Sequence, residues 1–189
     1  MVIEKTGLLG DSSAMNRQCL FVLLSAAILC GCKPASTTPP PPDAIPVSQM
    51  PLPTQAQPKL QTMKLWLGAE QMEAELALTG IQQQTGMMFR TNLAEQAGML
   101  FVFPVTHQAG FWMKNCPLPL SAAYIDPDGA ILEIHDLQAE DTNTVVAATD
   151  RVQYVLETSQ GWFARHNVST GAVVRTEHGS LAQTFQAGR

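Results

Sequence analysis

Positive charge is scarce in this chain. Eleven Lys and Arg stand against 16 Asp and Glu, for a formal net charge of −5. A nucleic-acid partner is held by clustered Lys and Arg. No basic run occurs here, so that class of partner is not expected. No apolar run reaches the roughly 20 residues that a bilayer-spanning helix needs. Cysteine is also short where a folded domain would use it. Of four, Cys19, Cys30 and Cys32 lie near the start, and Cys116 is alone in the rest. No intrachain disulfide framework can form there, so an apolar core must hold the domain. The histidines His107, His135, His166 and His178 contain no i,i+4 pair, which removes the helical zinc motif. There is no Gly-x-Ser-x-Gly elbow and no phosphate-binding loop. What remains is 189 residues that are 46% apolar, enough for one folded domain and too apolar for wholesale disorder.

The first 59 residues read as delivery apparatus. Cys19 to Cys30 is a continuous apolar run of 12 residues, short for a span and suited to the core of a signal peptide. Arg17 precedes it, and translation from Met15 would give a compact basic start; Glu4 and Asp11 fit such a region poorly. The run ends Leu29-Cys30-Gly31-Cys32, which is similar to a bacterial lipobox. Residues 1–31 are therefore expected to be a signal peptide, with Cys32 the lipidated N-terminus of the mature chain. Lys33 after the cysteine mildly favours the outer membrane. From Lys33 to Lys59 nine of 27 residues are proline. Proline fixes φ and lacks a donor, so residues 32–59 read as a lipidated cysteine and a stiff spacer, reaching at most roughly 80 Å in polyproline geometry.

Residues 60–178 read as the globular domain, with 179–189 as a loose tail. Met63, Leu65 and Leu67 alternate with Thr62, Lys64 and Trp66 as in a strand, and 68–71 would turn the chain. Met72, Ala74, Leu76 and Leu78 would face opposite Glu73 and Glu75. Thr79 and Gln82 have capping-box spacing for a helix over about 80–90, with Gly86 inside it. Residues 98–104 suggest a strand buried on both faces, 106–110 a loop, and 111–116 another strand. Pro127-Asp128-Gly129 would turn a hairpin between 122–126 and 130–137. Residues 152–157 alternate again, Ser159 would cap a helix to about His166, and 172–177 would be the last strand. About seven strands and two short helices, with hairpin-sized links, imply an α+β domain. The expected architecture is mainly antiparallel, a small, partly closed, barrel-like sheet.

Three stretches carry a resemblance: Gly86-Met-Met-Phe-Arg90, Gly98-Met-Leu-Phe-Val-Phe103 and Phe111-Trp-Met-Lys-Asn-Cys116. Together they resemble the bacterial and archaeal DUF192 family, also called UPF0127, over about residues 63–177. The resemblance implies a compact, mainly β domain, often secreted, with no established activity. The chain departs from the family pattern at Met87, Cys116 and Ser121.

In a strand, Trp112, Lys114 and Cys116 would share one face and Phe111, Met113 and Asn115 the other. A lysine among bulky apolar residues must be paired, depressed in pKa or aimed at water. One reading places Arg90, Trp112, Lys114 and Asn115 around a pocket for a small anion or carboxylate; the other has Lys114 lying along Trp112 and pairing with Glu157 or another acid, while Asn115 bonds the backbone at the strand end. Met87, Met88, Met99 and Met113 with His107 and Cys116 would suit a soft metal, but their spacing matches no metal motif. No catalytic residue, metal or cofactor is assigned. The expectation is a membrane-anchored extracytoplasmic binding or accessory module. The alternatives are a small enzyme acting on an anionic substrate and a structural component of an envelope complex.

Overall fold

The computed structural model describes residues 51–185; the expected signal peptide, Cys32 and most of the spacer lie outside them. Ten strands and three short helices follow in order. Strand β1 (Thr62–Leu67) and strand β2 (Glu70–Ala77) form a hairpin over Gly68 and Ala69, with Leu67 opposite Glu70. Glu70 and Gln71 are thus strand, and the turn needs only two residues because Gly68 takes φ +66°. Helix α1 (Gly80–Thr85) opens with the expected capping box: the Thr79 hydroxyl accepts from Gln82 N–H and the Gln82 side chain accepts from Thr79 N–H. It stops at Thr85, short of the expected 90, because Gly86 turns to φ +47°. That left-handed region favours glycine.

Strand β3 (Ala97–His107) runs parallel to β2 and antiparallel to β8 (Val152–Ser159). Only Gly98 to Phe101 are fully buried; Pro104, Val105 and Thr106 are exposed. The β3–β8 register shifts between Val102 and His107, and Pro104, which cannot donate to a ladder, lies within that break. The remaining strands are β4 (Gly110–Phe111), β5 (Leu120–Ile125), β6 (Ile131–Leu137), β7 (Val145–Val146), β9 (Val174–Thr176) and β10 (Gly179–Ser180). Eight of the ten described strands form one sheet in the order β10-β9-β1-β2-β3-β8-β5-β6, and β4 pairs with β7 apart from it. The named ladders are antiparallel except β2–β3. The expected α+β class and antiparallel bias are present, but the ladder does not close into a barrel. One isolated bridge, Ala130 to Val173, joins the segments ahead of β6 and β9.

The register explains why β3, β5 and β8 read as nearly continuous apolar runs. Leu100, Leu156 and Ala123 stand in one row, and Val102, Tyr154 and Ile125 in another. Both rows face a core that also holds Leu65, Leu67, Met72, Trp162 and Leu181. The intervening rows, Met99–Glu157–Ala122 and Phe101–Val155–Tyr124, face a second core with Met87, Met113 and Cys116. Strands covered on both faces need no polar alternation.

Helix α2 (Trp162–Arg165) is entered through Gly161 at φ +75°, with no side-chain cap. Ser159, the expected cap, ends β8 instead, and its hydroxyl accepts from Arg165. The chain past Gly179, expected to be loose, forms β10 and helix α3 (Leu181–Phe185). Leu181 is fully buried, which ties this segment to the first core.

Candidate functional site

The motif 111–116 folds differently from the expected strand. Only Gly110 and Phe111 are extended; the rest is a loop with Asn115 at φ +59°. Its backbone is held from two sides in place of a ladder. Met113 N–H donates to Asp141 C=O at 2.7 Å, and Glu140 N–H donates to Cys116 C=O at 3.0 Å. On the other side Phe89 N–H donates to Asn115 C=O at 2.7 Å. The turn breaks the period-two alternation. Met113 and Cys116 both point inward, while Trp112 is 39% exposed.

This loop, the turn after α1 and the second-core face of the sheet enclose a pocket of about 230 Å³. Phe101, Phe103 and Phe111 supply rings, and Met87, Met88 and Met113 supply thioethers. Phe101 and Phe111 meet edge to face at 4.9 Å. Gly86 allows the turn to press onto this wall, since a Cβ there would lie 3.3 Å from the Phe101 ring. Trp112 and Lys114 also line the pocket, the Lys114 ammonium standing 5.4 Å from the centroid of the Trp112 ring. That arrangement matches the expected lysine lying along tryptophan, and it allows a cation–π attraction.

Glu157 lines the same pocket and is 4% exposed. It stands between Met99 of β3 and Ala122 of β5, on two central ladders, so its side chain shares their face toward the second core. Among the described residues, none makes a hydrogen bond or ion pair with its carboxyl group; the expected pairing with Lys114 is not formed. Burial without a partner disfavours the anion and pushes the Glu157 carboxyl up to about 8. Neighbouring groups respond to the same environment. Burial first, and then Glu157, push the Cys116 thiol up to about 11. The Tyr124 phenol is raised by burial, then by Glu157 and Glu133. Tyr124 donates its hydroxyl to Val145 C=O at 2.7 Å, and the Cys116 thiol lies 3.6 Å from Leu118 C=O. A second acceptor in the lining, Gln84 Oε1, is buried and has no donor.

The four expected site residues do not converge. Trp112 and Lys114 share the pocket. Asn115 contributes its backbone carbonyl to the loop and is not in the lining. Arg90 faces a different groove, with Glu73, Glu75 and Asn92. There its guanidinium forks onto Glu75, both N···O distances being 2.8 Å, and Glu75 also accepts from Leu60 N–H at 2.7 Å. Ser121, one of the departures from the family pattern, is buried outside the pocket. It donates to Asp136 and accepts from Gly161 N–H at 2.8 Å. Among the described residues, no three His, Cys, Asp or Glu gather so as to hold a metal.

Sequence reasoning missed Glu157 as a pocket residue, reading it as the polar face of an alternating strand. The available signal was composition: Glu157 is the one charged residue in Val152–Ser159, a strand that is otherwise buried nearly throughout.

No curated protein matches the chain. Among solved structures, a "putative transcription regulator" from Sinorhizobium meliloti 1021 is 31% identical, with a TM-score of 0.61 over 64% of this chain and 98% of that one. A protein of unknown function from Novosphingobium aromaticivorans DSM 12444 is 30% identical, with a TM-score of 0.58 over 61% of this chain and 86% of that one. The family model described as DUF192, Uncharacterized ACR, matches residues 63–176. That is more than half the chain and includes all three motifs around the pocket, so this protein belongs to the DUF192 family.

Proposed function

We propose that this chain is a small-ligand-binding module tethered in the bacterial cell envelope. A lipid on Cys32 anchors it, the proline-rich stretch holds it off the membrane, with the outer membrane favoured, and the Trp112–Lys114 pocket takes the ligand. The observation that carries the reading is Glu157, buried, lining a pocket with aromatic and thioether walls and making no hydrogen bond or ion pair among the described residues. Gln84 Oε1 in the same lining is buried without a donor; leaving a buried polar group unmet costs about 1–3 kcal/mol, a cost that a ligand can offset. The pocket volume falls below the ~300–1,000 Å³ of drug-sized sites, so the ligand is small. Its apolar body rests on Phe101, Phe111 and the methionines, and an anionic group meets Lys114 at the rim. The S. meliloti protein is described as a "putative transcription regulator", but direct binding of this chain to nucleic acid has little support in its charge. Residues 60–189 carry seven Lys and Arg against 13 acids.

Two measurements test this. Thermal unfolding of the 32–189 chain with 4-methylpentanoate, a small branched acid, should show stabilisation that Lys114→Ala removes while leaving the ligand-free transition in place. Absence of any stabilisation, or loss of the fold in Lys114→Ala, counts against a binding site and for a structural lysine. Mass spectrometry of protein extracted from its host should find an acylated fragment beginning at Cys32. A cysteine left unmodified in soluble protein would overturn the tether.

A further inference from the structure

We propose that the ligand's inner end is a protonated amine seated on Glu157, so that the pocket selects a small amphiphilic zwitterion with its carboxylate at Lys114. The inference rests on the binding reading above and adds the chemistry of the buried end. The pocket lining holds hydrogen-bond acceptors that the described protein leaves open. Gln84 Oε1 is buried without a donor, and Glu157, in the same lining, makes no hydrogen bond or ion pair among the described residues. Acceptors call for N–H or O–H groups on the occupant. The walls favour a cationic donor over a neutral one. Aromatic faces attract ammonium groups through their quadrupoles, and thioether sulfurs are weak acceptors. Phe101, Phe103, Phe111 and Met88 line the pocket together. A purely anionic ligand could use only the hydroxyl of the neutral Glu157 acid and would leave Gln84 Oε1 without a donor, whereas a purely cationic one would meet the Lys114 ammonium in the same lining. A zwitterion entering amine first satisfies both ends.

Binding then carries a proton signature. The titratable groups around Glu157 are Cys116 and Tyr124, both raised, with Lys114 and His107 in the lining. Near neutral pH the free pocket holds Glu157 as the neutral acid. An arriving ammonium favours the carboxylate, so Glu157 gives up its proton to solvent as the ion pair forms.

The test compares leucine with 4-methylpentanoate, the same skeleton without the amine, by titration calorimetry at pH 7 in two buffers of different ionisation enthalpy. Leucine should bind at least tenfold tighter and release most of one proton. Glu157→Gln, which copies the shape of the neutral acid, should erase both the margin and the release while keeping the unfolding transition at pH 5. Equal affinities that both depend on Lys114 would overturn the amine and leave the binding reading standing. A leucine preference that survives Glu157→Gln, or one without proton release, would also overturn it. Binding of neither compound overturns the inference and the pocket together.

Discussion

Gly98 lies directly against the backbone of Glu157: a Cβ built on Gly98 would stand 2.7 Å from the Glu157 carbonyl oxygen. Its next neighbours would be Leu156 Cδ1 at 3.3 Å and Met72 Sδ at 3.4 Å. The thioether could shift, but a ladder carbonyl in a central strand cannot without moving β8. Gly98→Ala is therefore expected to lower stability by about 1–3 kcal/mol, the range for overpacking a close-packed core. Denaturant unfolding measures this, and a change below about 0.5 kcal/mol would show that β8 yields freely.

Glu157 should make stability depend on pH in an unusual direction. Its carboxyl is raised from 4.5 to about 8 by burial. Between those values the unfolded chain has lost a proton that the native chain retains, so stability falls as pH rises. The contribution is intact below about 4.5 and fully lost above about 8. A tenfold change in a protonation equilibrium is worth roughly 1.4 kcal/mol, so the loss amounts to several kcal/mol. Glu157→Gln should match the parent near pH 4.5 and exceed it at pH 8. Parallel pH curves for the two proteins would contradict this.

Arg90 and Glu75 form a largely covered, two-pronged ion pair, with side chains 17% and 12% exposed. Removing one member strands the other charge. Arg90→Ala should cost about 3 kcal/mol, near the lower end for broken buried pairs. Arg90→Lys should recover only part, because an ammonium cannot reproduce the planar fork. Ligand binding at the Trp112–Lys114 pocket should be unchanged in the folded variant, since Arg90 lines a separate groove. Chemical unfolding and a titration on the same sample check both halves.

Trp162 is fully buried, and its Nε1 has no acceptor among the described residues. Its ring stacks on His166 at 4.4 Å and meets Phe163 edge to face. Trp162→Phe loses volume but also removes an unmet donor, whose burial costs about 1–3 kcal/mol. The net loss should stay below about 2 kcal/mol, against about 3–5 for Trp162→Ala. A phenylalanine variant as unstable as the alanine one would show that the donor is satisfied in solution.

Much of the β framework was legible because its signals are local. Met63, Leu65 and Leu67 alternate at the strand period, Thr79 and Gln82 sit at capping distance, and Pro127-Asp128-Gly129 turns the hairpin. Asp126 reinforces that turn by accepting from the N–H groups of Asp128 and Ala130. The errors arose where a distant partner outweighed local pattern. Phe111 to Cys116 reads as a strand, but contacts with residues 89, 140 and 141 bend it into a loop. Glu75 reads as an exposed acid, but Arg90 draws it inward. The segment past Gly179 reads as loose, but Leu181 finds a place in the core.

By itself the sequence determined the family, the strand and turn punctuation, and Trp112 and Lys114 as members of one local motif. Tertiary structure alone decided that Arg90 belongs elsewhere and that Glu157 lines the pocket. The physical reason is range. Periodicity and capping act over a few residues, whereas the burial of a carboxyl depends on which strands lie beside it, and that is set by pairings up to about sixty residues away.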